Sequence, residues 1–268
     1  MAARDAAALR RRNTMRRLTS PESSTVRAEW GSLQPVSEGD RSGTVVAKLL
    51  EVAVRSQMRQ HGMVLAKVNS RLERLMQGYV ESVYLSGRDL QTRLGLTARN
   101  LIITAPDSSF IDYGRLALGK LTLTTPAHGM SEALFDASDW GNFLVYPSVV
   151  RAATSELRGG AVQFLRHGVS LDSAAGRLSF SAAYEGRQLR CHLRLLDDAL
   201  PVVDVDGTQD PTLAQELTLF FQNLCIDLAG VRLQYHAMKF ENLDGKDLVR
   251  VRLATTVYRI PNPLRDRM

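Results

Sequence analysis

The sequence lacks several features that would place it in a common functional class. No run of apolar residues approaches the roughly 20 that a membrane-spanning helix needs, so we predict no integral membrane segment.

Only two cysteines occur, Cys191 and Cys225. Cys191 lies in an alternating apolar row, and we expect both residues to be buried thiols in a reducing compartment rather than a structural disulfide.

Motifs of catalysis and cofactor binding are also missing from the sequence. It contains no G-x-S-x-G nucleophile motif, no phosphate-binding P-loop and no dinucleotide-binding G-x-G-x-x-G. Its five histidines are isolated, without an H-E-x-x-H pair or a cysteine at zinc-ligand spacing. We therefore predict that the protein is not an enzyme and has no catalytic residues, no metal site and no cofactor.

The net charge of +6 is concentrated at one end of the chain. Residues 1–20 hold six arginines against one acid, which gives +5 and leaves +1 for the remaining residues. A nucleic-acid-binding domain would carry a basic stripe interleaved with aromatic residues on its folded part, because phosphate neutralisation supplies most of its affinity. No such stripe is visible, so we predict that nucleic acid is not a partner.

Residues 1–43 form a basic extension and linker ahead of a single domain over 44–268. The first part is rich in Arg, Ala, Ser and Thr and poor in acids, a composition typical of an organelle transit peptide. The triplet Val26-Arg27-Ala28 is similar to a plastid processing site. These features predict a chloroplast protein, soluble or peripherally membrane-associated; the alternative is a basic tail without a targeting role.

Apolar residues recur at steps of three and four after the linker, which predicts one long amphipathic helix that ends at Gly78, with Gly62 as a weak point. The recurring positions are Val45, Leu49, Val52, Leu65, Val68, Leu72 and Leu75.

After Gly78 the period changes to two, which predicts an α+β, β-rich fold with an antiparallel sheet. Short helices joined near Pro147 are expected within 131–158. The predicted strands lie at Val83–Leu85, Leu94–Leu96, Leu101–Ile103, Leu116–Leu118, Leu121–Leu123, Leu178–Ala182, Leu189–Leu195, Leu217–Phe221 and Val249–Val257.

Two pairs of aspartates are candidates for catalytic groups. Asp204 and Asp206 resemble the first motif of haloacid-dehalogenase-type phosphatases, but too few residues follow for the later elements of that fold, so an acidic turn is the preferred interpretation. Asp136 and Asp139 would suit a retaining glycosidase only beside a matching cleft; a role at a helix start is preferred.

The segments Gly78–Leu90, Ile111–Leu121 and Leu134–Asp139 together resemble the LmeA-like phospholipid-binding family. The likeness covers residues 50 to 260; it departs from the family at Trp140, where members usually have Leu. The resemblance implies a tubular lipid-binding fold, in which a strongly curved antiparallel sheet wraps around a long helix.

Such a fold implies an apolar tube that holds a phospholipid or another acyl lipid, since burying each CH₂ contributes about 0.8 kcal/mol. The expected partner is an acyl lipid or a membrane surface. The alternative is a structural or assembly protein with a solid β core and a protein partner. The predicted lining residues are Leu65, Val68, Leu72, Leu75, Leu101, Ile103, Leu121 and Leu123.

Overall fold

The computed structural model describes residue 33 and residues 41–106, 109–111, 122–157, 161–197, 200–207, 210–228 and 230–259. The fold is α+β and rich in strands, and its largest sheet is a strongly curved antiparallel half-barrel, as predicted in outline. The predicted targeting segment, the predicted strand at Leu116–Leu118 and Leu121 lie outside the described residues.

The described helices are short. They are α1 (Arg41–Gln57), α2 (Leu72–Met76), α3 (Ala137–Leu144), α4 (Pro147–Glu156) and α5 (Pro211–Gln222). The strands are β1 (Met58–Gln60), β2 (Val64–Asn69), β3 (Tyr79–Val80), β4 (Ser82–Thr92), β5 (Thr97–Ala105), β6 (Ser109–Ile111), β7 (Thr122–Phe135), β8 (Val162–Phe164), β9 (Ser170–Asp172), β10 (Arg177–Tyr184), β11 (Arg187–Leu196), β12 (Leu200–Asp206), β13 (Cys225–Leu228), β14 (Val231–Leu243) and β15 (Lys246–Arg259).

Among the described residues the larger sheet has the strand order β1-β4-β5-β7-β15-β14-β13, and β2 pairs with β4 beside β1. The smaller sheet has the order β12-β11-β10-β8, with β9 also paired to β10. Side chains of both sheets, together with Trp140 on α3 and Phe221 on α5, form the main hydrophobic core. The alternation of apolar and polar residues along each strand explains this arrangement, because it gives each sheet one apolar face.

Helices cover three strand edges and supply hydrogen bonds to their backbones. Thr218 and Gln222 of α5 bond the amide of Val203 and the carbonyl of Pro201 on β12. Ser148 of α4 donates to the carbonyl of Asp227 on β13. The third edge, that of β2, is covered by α1 and is described below.

The prediction of one long amphipathic helix is wrong. Helix α1 ends at Gln57, and the chain then enters the sheet, where Val64, Ala66 and Val68 alternate as buried positions of β2. The three-and-four spacing of the later leucines was accidental, because it spans a strand and the separate helix α2. The predicted weak point marks the turn: the Gly62 amide donates to the Arg88 carbonyl, and a Cβ at Gly62 would lie 3.0 Å from that oxygen.

Three shorter segments also differ from the prediction. Residues 217–221 lie in helix α5 rather than a strand, because Asp210 caps the helix and Pro211 occupies its first turn. Residues 131–134 belong to strand β7 rather than a helix. Leu94 lies in the turn between β4 and β5. The helices on either side of Pro147 are confirmed.

The interpretation of Asp136 and Asp139 as helix-start residues is confirmed. The Asp136 side chain accepts a hydrogen bond from the Asp139 amide at 2.8 Å, and the Asp139 side chain accepts one from the Asp136 amide at 3.2 Å. This reciprocal capping box satisfies two amides that the first turn of α3 leaves without helical partners.

The two cysteines are free thiols with different surroundings. Cys191 is buried in the core, as predicted, and this burial raises the pKa of its thiol to about 12. Cys225 is exposed on β13, so the prediction that it is buried is wrong. Its position explains the difference, because β13 is an edge strand and Cys225 lies opposite the exposed Gln234.

Candidate functional site: the outer surface of α1 and α2

Helix α1 lies along the free edge of β2 and bonds to its backbone. The amide of Ala66 donates to the Glu51 carboxylate at 3.1 Å, and Arg55 donates to the carbonyl of Val64 at 2.9 Å. Gly43 lies so close to β2 that a Cβ there would be 2.2 Å from the carbonyl oxygen of Val68. The helix thus supplies the partners that another strand would otherwise supply.

Glu51 is the central contact of this edge, with only 2% of its surface exposed. Burial raises the pKa of its carboxyl, but hydrogen bonds from Lys48 and from the Ala66 amide, with the charges of Lys48 and Arg55, outweigh burial and lower the pKa overall. The Glu51 carboxylate is 2.9 Å from Lys48 and 3.7 Å from Arg55. It therefore stays ionised at neutral pH.

The inner face of α1 packs on a small core of its own. Ala47 contacts a cluster formed by Ala66, Val68, Leu75 and Val80. Partly buried Leu50 extends the contact toward β4. This small core is separate from the main core.

The outer face of α1 is also apolar, and it is exposed. Val45 is 64% exposed, and Leu49 and Val52 are each 60% exposed. At about 100° per residue these three side chains fall within about 60° of one another, on the side opposite Ala47. A helix with two apolar faces is normally buried on both. The packing of α1 on the sheet does not use the outer stripe.

Helix α2, which packs on the same small core through Leu75, carries two further exposed apolar side chains. Leu72 is 53% and Met76 is 75% exposed, while Leu75 between them faces the small core under α1. We name the set Val45, Leu49, Val52, Leu72 and Met76 the α1 surface.

The chain around the α1 surface is strongly basic. Residues 41–78 contain seven lysines and arginines and two acids, a net charge of +5, and one of the two acids is the buried Glu51. The exposed basic side chains of this segment include Lys48, Arg55, Arg59, Arg71 and Arg74. Apolar exposure and positive charge therefore coincide in one part of the sequence.

The eight predicted lining residues do not form one surface. Val68 and Leu75 meet in the small core, whereas Leu65 lies on the opposite face of β2 and Leu72 on the outside of α2. Leu101 packs against the main core. Ile103 lies opposite Leu85 on β4, and Leu123 lies opposite Ile111 on β6. Leu121 lies outside the described residues.

Sequence periodicity did identify Val45, Leu49 and Val52 as one helix face, but as part of one long helix around which the sheet wraps. The sequence signal that periodicity missed is the pair of small residues on the opposite face of α1, which packs on β2. Gly43 and Ala47 allow the helix to approach β2 closely, and they carry little apolar weight in a periodicity count.

A polar ladder crosses the outer face of the smaller sheet and includes the phosphatase-like aspartates. Asp204 pairs with Arg194 at 2.8 Å, and Asp206 with His192 at 2.8 Å. His192 also contacts the Ser179 hydroxyl at 2.7 Å. Ser179, His192 and Asp206 are thus linked in the order of a Ser-His-Asp catalytic triad. Ser179 is only 5% exposed in mid-strand, which blocks the approach of a substrate carbonyl to its Oγ.

The ladder is better explained by cross-strand pairing of polar side chains, which stabilises antiparallel sheets. Asp204 and Asp206 belong to strand β12 itself rather than to a turn between strands.

Within the described part of the chain, no group of three His, Cys, Asp or Glu residues is arranged to hold a metal ion.

Comparison with protein-family models, with curated proteins and with solved structures gives no match to this chain. The resemblance to the LmeA-like family therefore stays a prediction. Among the described residues, no helix combines the length and the apolar character needed to cross a bilayer.

Proposed function

We propose that the protein is a non-enzymatic lipid-binding protein that attaches reversibly to membranes rich in anionic phospholipids through the α1 surface. The observation that carries the proposal is the exposed stripe of Val45, Leu49 and Val52 within a segment of net charge +5. An exposed apolar helix face bordered by basic residues is typical of interfacial membrane helices.

The expected affinity follows from two contributions. Complete burial of a valine or leucine contributes about 1.5–3 kcal/mol, so three side chains that are 60% exposed or more offer roughly 3–5 kcal/mol. Each basic residue near an anionic membrane adds about 1 kcal/mol, and salt weakens this part. Together these contributions support reversible attachment.

Attachment of this kind leaves the domain intact. The residues of the small core and Glu51 face away from the outer stripe, so membrane contact does not require α1 to leave the sheet. The proposal keeps the predicted acyl lipid or membrane surface as partner. It replaces the predicted tube by an interfacial helix.

The test is co-sedimentation of the protein with vesicles of phosphatidylcholine, with or without about 30% phosphatidylserine. The wild type should bind only the anionic vesicles, and binding should weaken as salt is added. The triple variant Val45→Ser, Leu49→Ser, Val52→Ser should lose about 3 kcal/mol of binding free energy, or about a hundredfold in affinity.

A matched control replaces three similarly exposed side chains elsewhere: Val150→Ser, Leu196→Ser, Leu219→Ser, which are 43%, 48% and 48% exposed. This control should bind vesicles like the wild type. Equal binding by both triple variants, or no binding of the wild type to anionic vesicles, would refute the proposal. Specific capture of an acidic protein without any vesicle binding would favour an assembly role for the same surface.

A further inference from the structure

A cleft of about 240 Å³ opens between β1, the β4–β5 hairpin and the start of α3. It lies apart from the outer stripe of α1. Its lining is Gln60, Asp89, Leu90, Gln91, Thr97, Ala98, Arg99, Ser138, Asp139 and Asn142.

One wall of the cleft is held in a fixed geometry by hydrogen bonds. The Asn142 amide donates to the Thr97 hydroxyl at 2.8 Å, and that hydroxyl donates to Asp139 at 2.5 Å. Asn142 and Asp139 are almost completely buried, at 8% and 5% exposure. Because Asn142 is not an N-terminal residue of α3, capping does not account for its position. Its carbonyl oxygen has no hydrogen-bond donor among the described residues and borders the cleft.

The remaining polar groups of the lining are available for a ligand. Gln60, Gln91 and Ser138 make no side-chain hydrogen bond to any residue that the structure describes. Each of these side chains both donates and accepts hydrogen bonds. The cleft therefore combines donors and acceptors on several sides.

The lining carries charged groups of both signs, which favours an uncharged ligand over an ion. Arg99 bonds to Asp136 and lies 3.7 Å from Asp89 and 3.4 Å from Asp139. A cation entering the cleft would meet the Arg99 guanidinium, and an anion would meet the carboxylates of Asp89 and Asp139, both at a cost in this partly desolvated site. An uncharged polar ligand avoids both costs.

We propose that this cleft binds an uncharged polyhydroxyl ligand of about the size of one sugar ring. A hydroxyl group donates to a carboxylate or to the Asn142 carbonyl oxygen while it accepts from an amide, which matches the mixed lining. At about 240 Å³ the cleft is smaller than the roughly 300–1,000 Å³ of pockets for drug-sized ligands, which suits a single ring.

The experiment is a titration of the isotope-labelled full chain followed by NMR, with glucose, galactose, myo-inositol and glycerol as probes. Ethylammonium and acetate serve as small charged probes. At least one polyol should give saturable shifts of backbone amides in residues 89–99 and 137–142, at concentrations up to about 100 mM for such a small ligand. The charged probes should give no saturable shifts there.

Two side-chain amides, on the exposed Gln60 and the half-buried Gln91, test the contacts without touching the fixed wall. The double variant Gln60→Ala, Gln91→Ala should bind the responding polyol at least about fivefold more weakly, as expected for the loss of two hydrogen bonds. The control Gln188→Ala, at an exposed position of β11, should bind it like the wild type.

The proposal is overturned if no polyol gives saturable shifts, if ethylammonium or acetate binds more tightly, or if the double variant binds like the control. The titration contains no vesicles, so its outcome is independent of the membrane proposal. The triple variant of the α1 stripe should bind the polyol unchanged.

Discussion

Replacing Glu51 tests whether α1 is held by one buried carboxylate. In Glu51→Ala the amide of Ala66 loses its acceptor while it stays buried, which costs about 1–3 kcal/mol. Loss of the buried side-chain methylenes adds to this cost. We expect a decrease of about 2–4 kcal/mol in the free energy of unfolding, a large part of the stability of a typical domain.

The variant Glu51→Gln separates the hydrogen bond from the charge. The glutamine carbonyl can still accept from the Ala66 amide, and only the attraction to Lys48 and Arg55 is lost. Those two side chains are 68% and 44% exposed, so their ion pairs are screened by water and contribute about 0–1 kcal/mol. Glu51→Gln should therefore be much less destabilising than Glu51→Ala.

The pH dependence of the Glu51→Gln difference has a definite sign. The pKa of Glu51 is lower in the folded protein than its ordinary value of 4.5. Ionisation of this group therefore stabilises the fold fully above pH 4.5, and the contribution is lost as the pH falls through the folded-state pKa. The stability difference between the wild type and Glu51→Gln should shrink as the pH falls below 4.5.

The assay is urea unfolding followed by circular dichroism, combined with hydrogen exchange at the Ala66 amide, and the exposed Glu73→Ala on α2 is the matched control. The reasoning is refuted if Glu51→Ala unfolds within about 0.5 kcal/mol of Glu73→Ala, or if exchange at Ala66 is unchanged.

Two further predictions follow from close contacts and burial. Gly43→Ala should destabilise the α1 contact by about 1–3 kcal/mol in urea unfolding, because its Cβ would lie 2.2 Å from the Val68 carbonyl oxygen; an unchanged midpoint would mean that α1 is not seated against β2. In the native protein a maleimide should label Cys225 and leave Cys191 unreacted until the chain is unfolded, as mass spectrometry of the labelled peptides would show; native labelling of Cys191 would contradict its burial.

Strands β10 and β11 were predictable from sequence, because apolar and polar residues alternate along both. Leu178 and Phe180 alternate with polar residues and lie in the core opposite Leu193 and Cys191, as their period of two indicates. The helix start at Asp136 was predictable for a local reason, since its capping box depends on residues three apart. In both cases the deciding interactions are visible in a short window of sequence.

The course of residues 58–76 was not predictable from periodicity. Whether Leu65 and Val68 share a helix face or point to opposite sides of a strand depends on pairing with β4, about twenty residues further along the chain. The outer stripe of α1 has the same difficulty. Its apolar spacing is identical for a buried and an exposed face, and only the seating of Gly43 and Ala47 against β2 decides between them.

The helices along the strand edges also bear on how the chain folds during synthesis. A bare edge recruits other chains, and nascent polypeptides are crowded on the ribosome. Helix α1 precedes β2, and α4 precedes β13, so the cover of these two edges leaves the ribosome before the strand that it shields, whereas α5 follows β12. Helices form in about a microsecond, far faster than translation adds residues. The segment that covers each of these two edges is therefore already synthesised when its strand emerges, so it can cover the edge before another chain pairs with it.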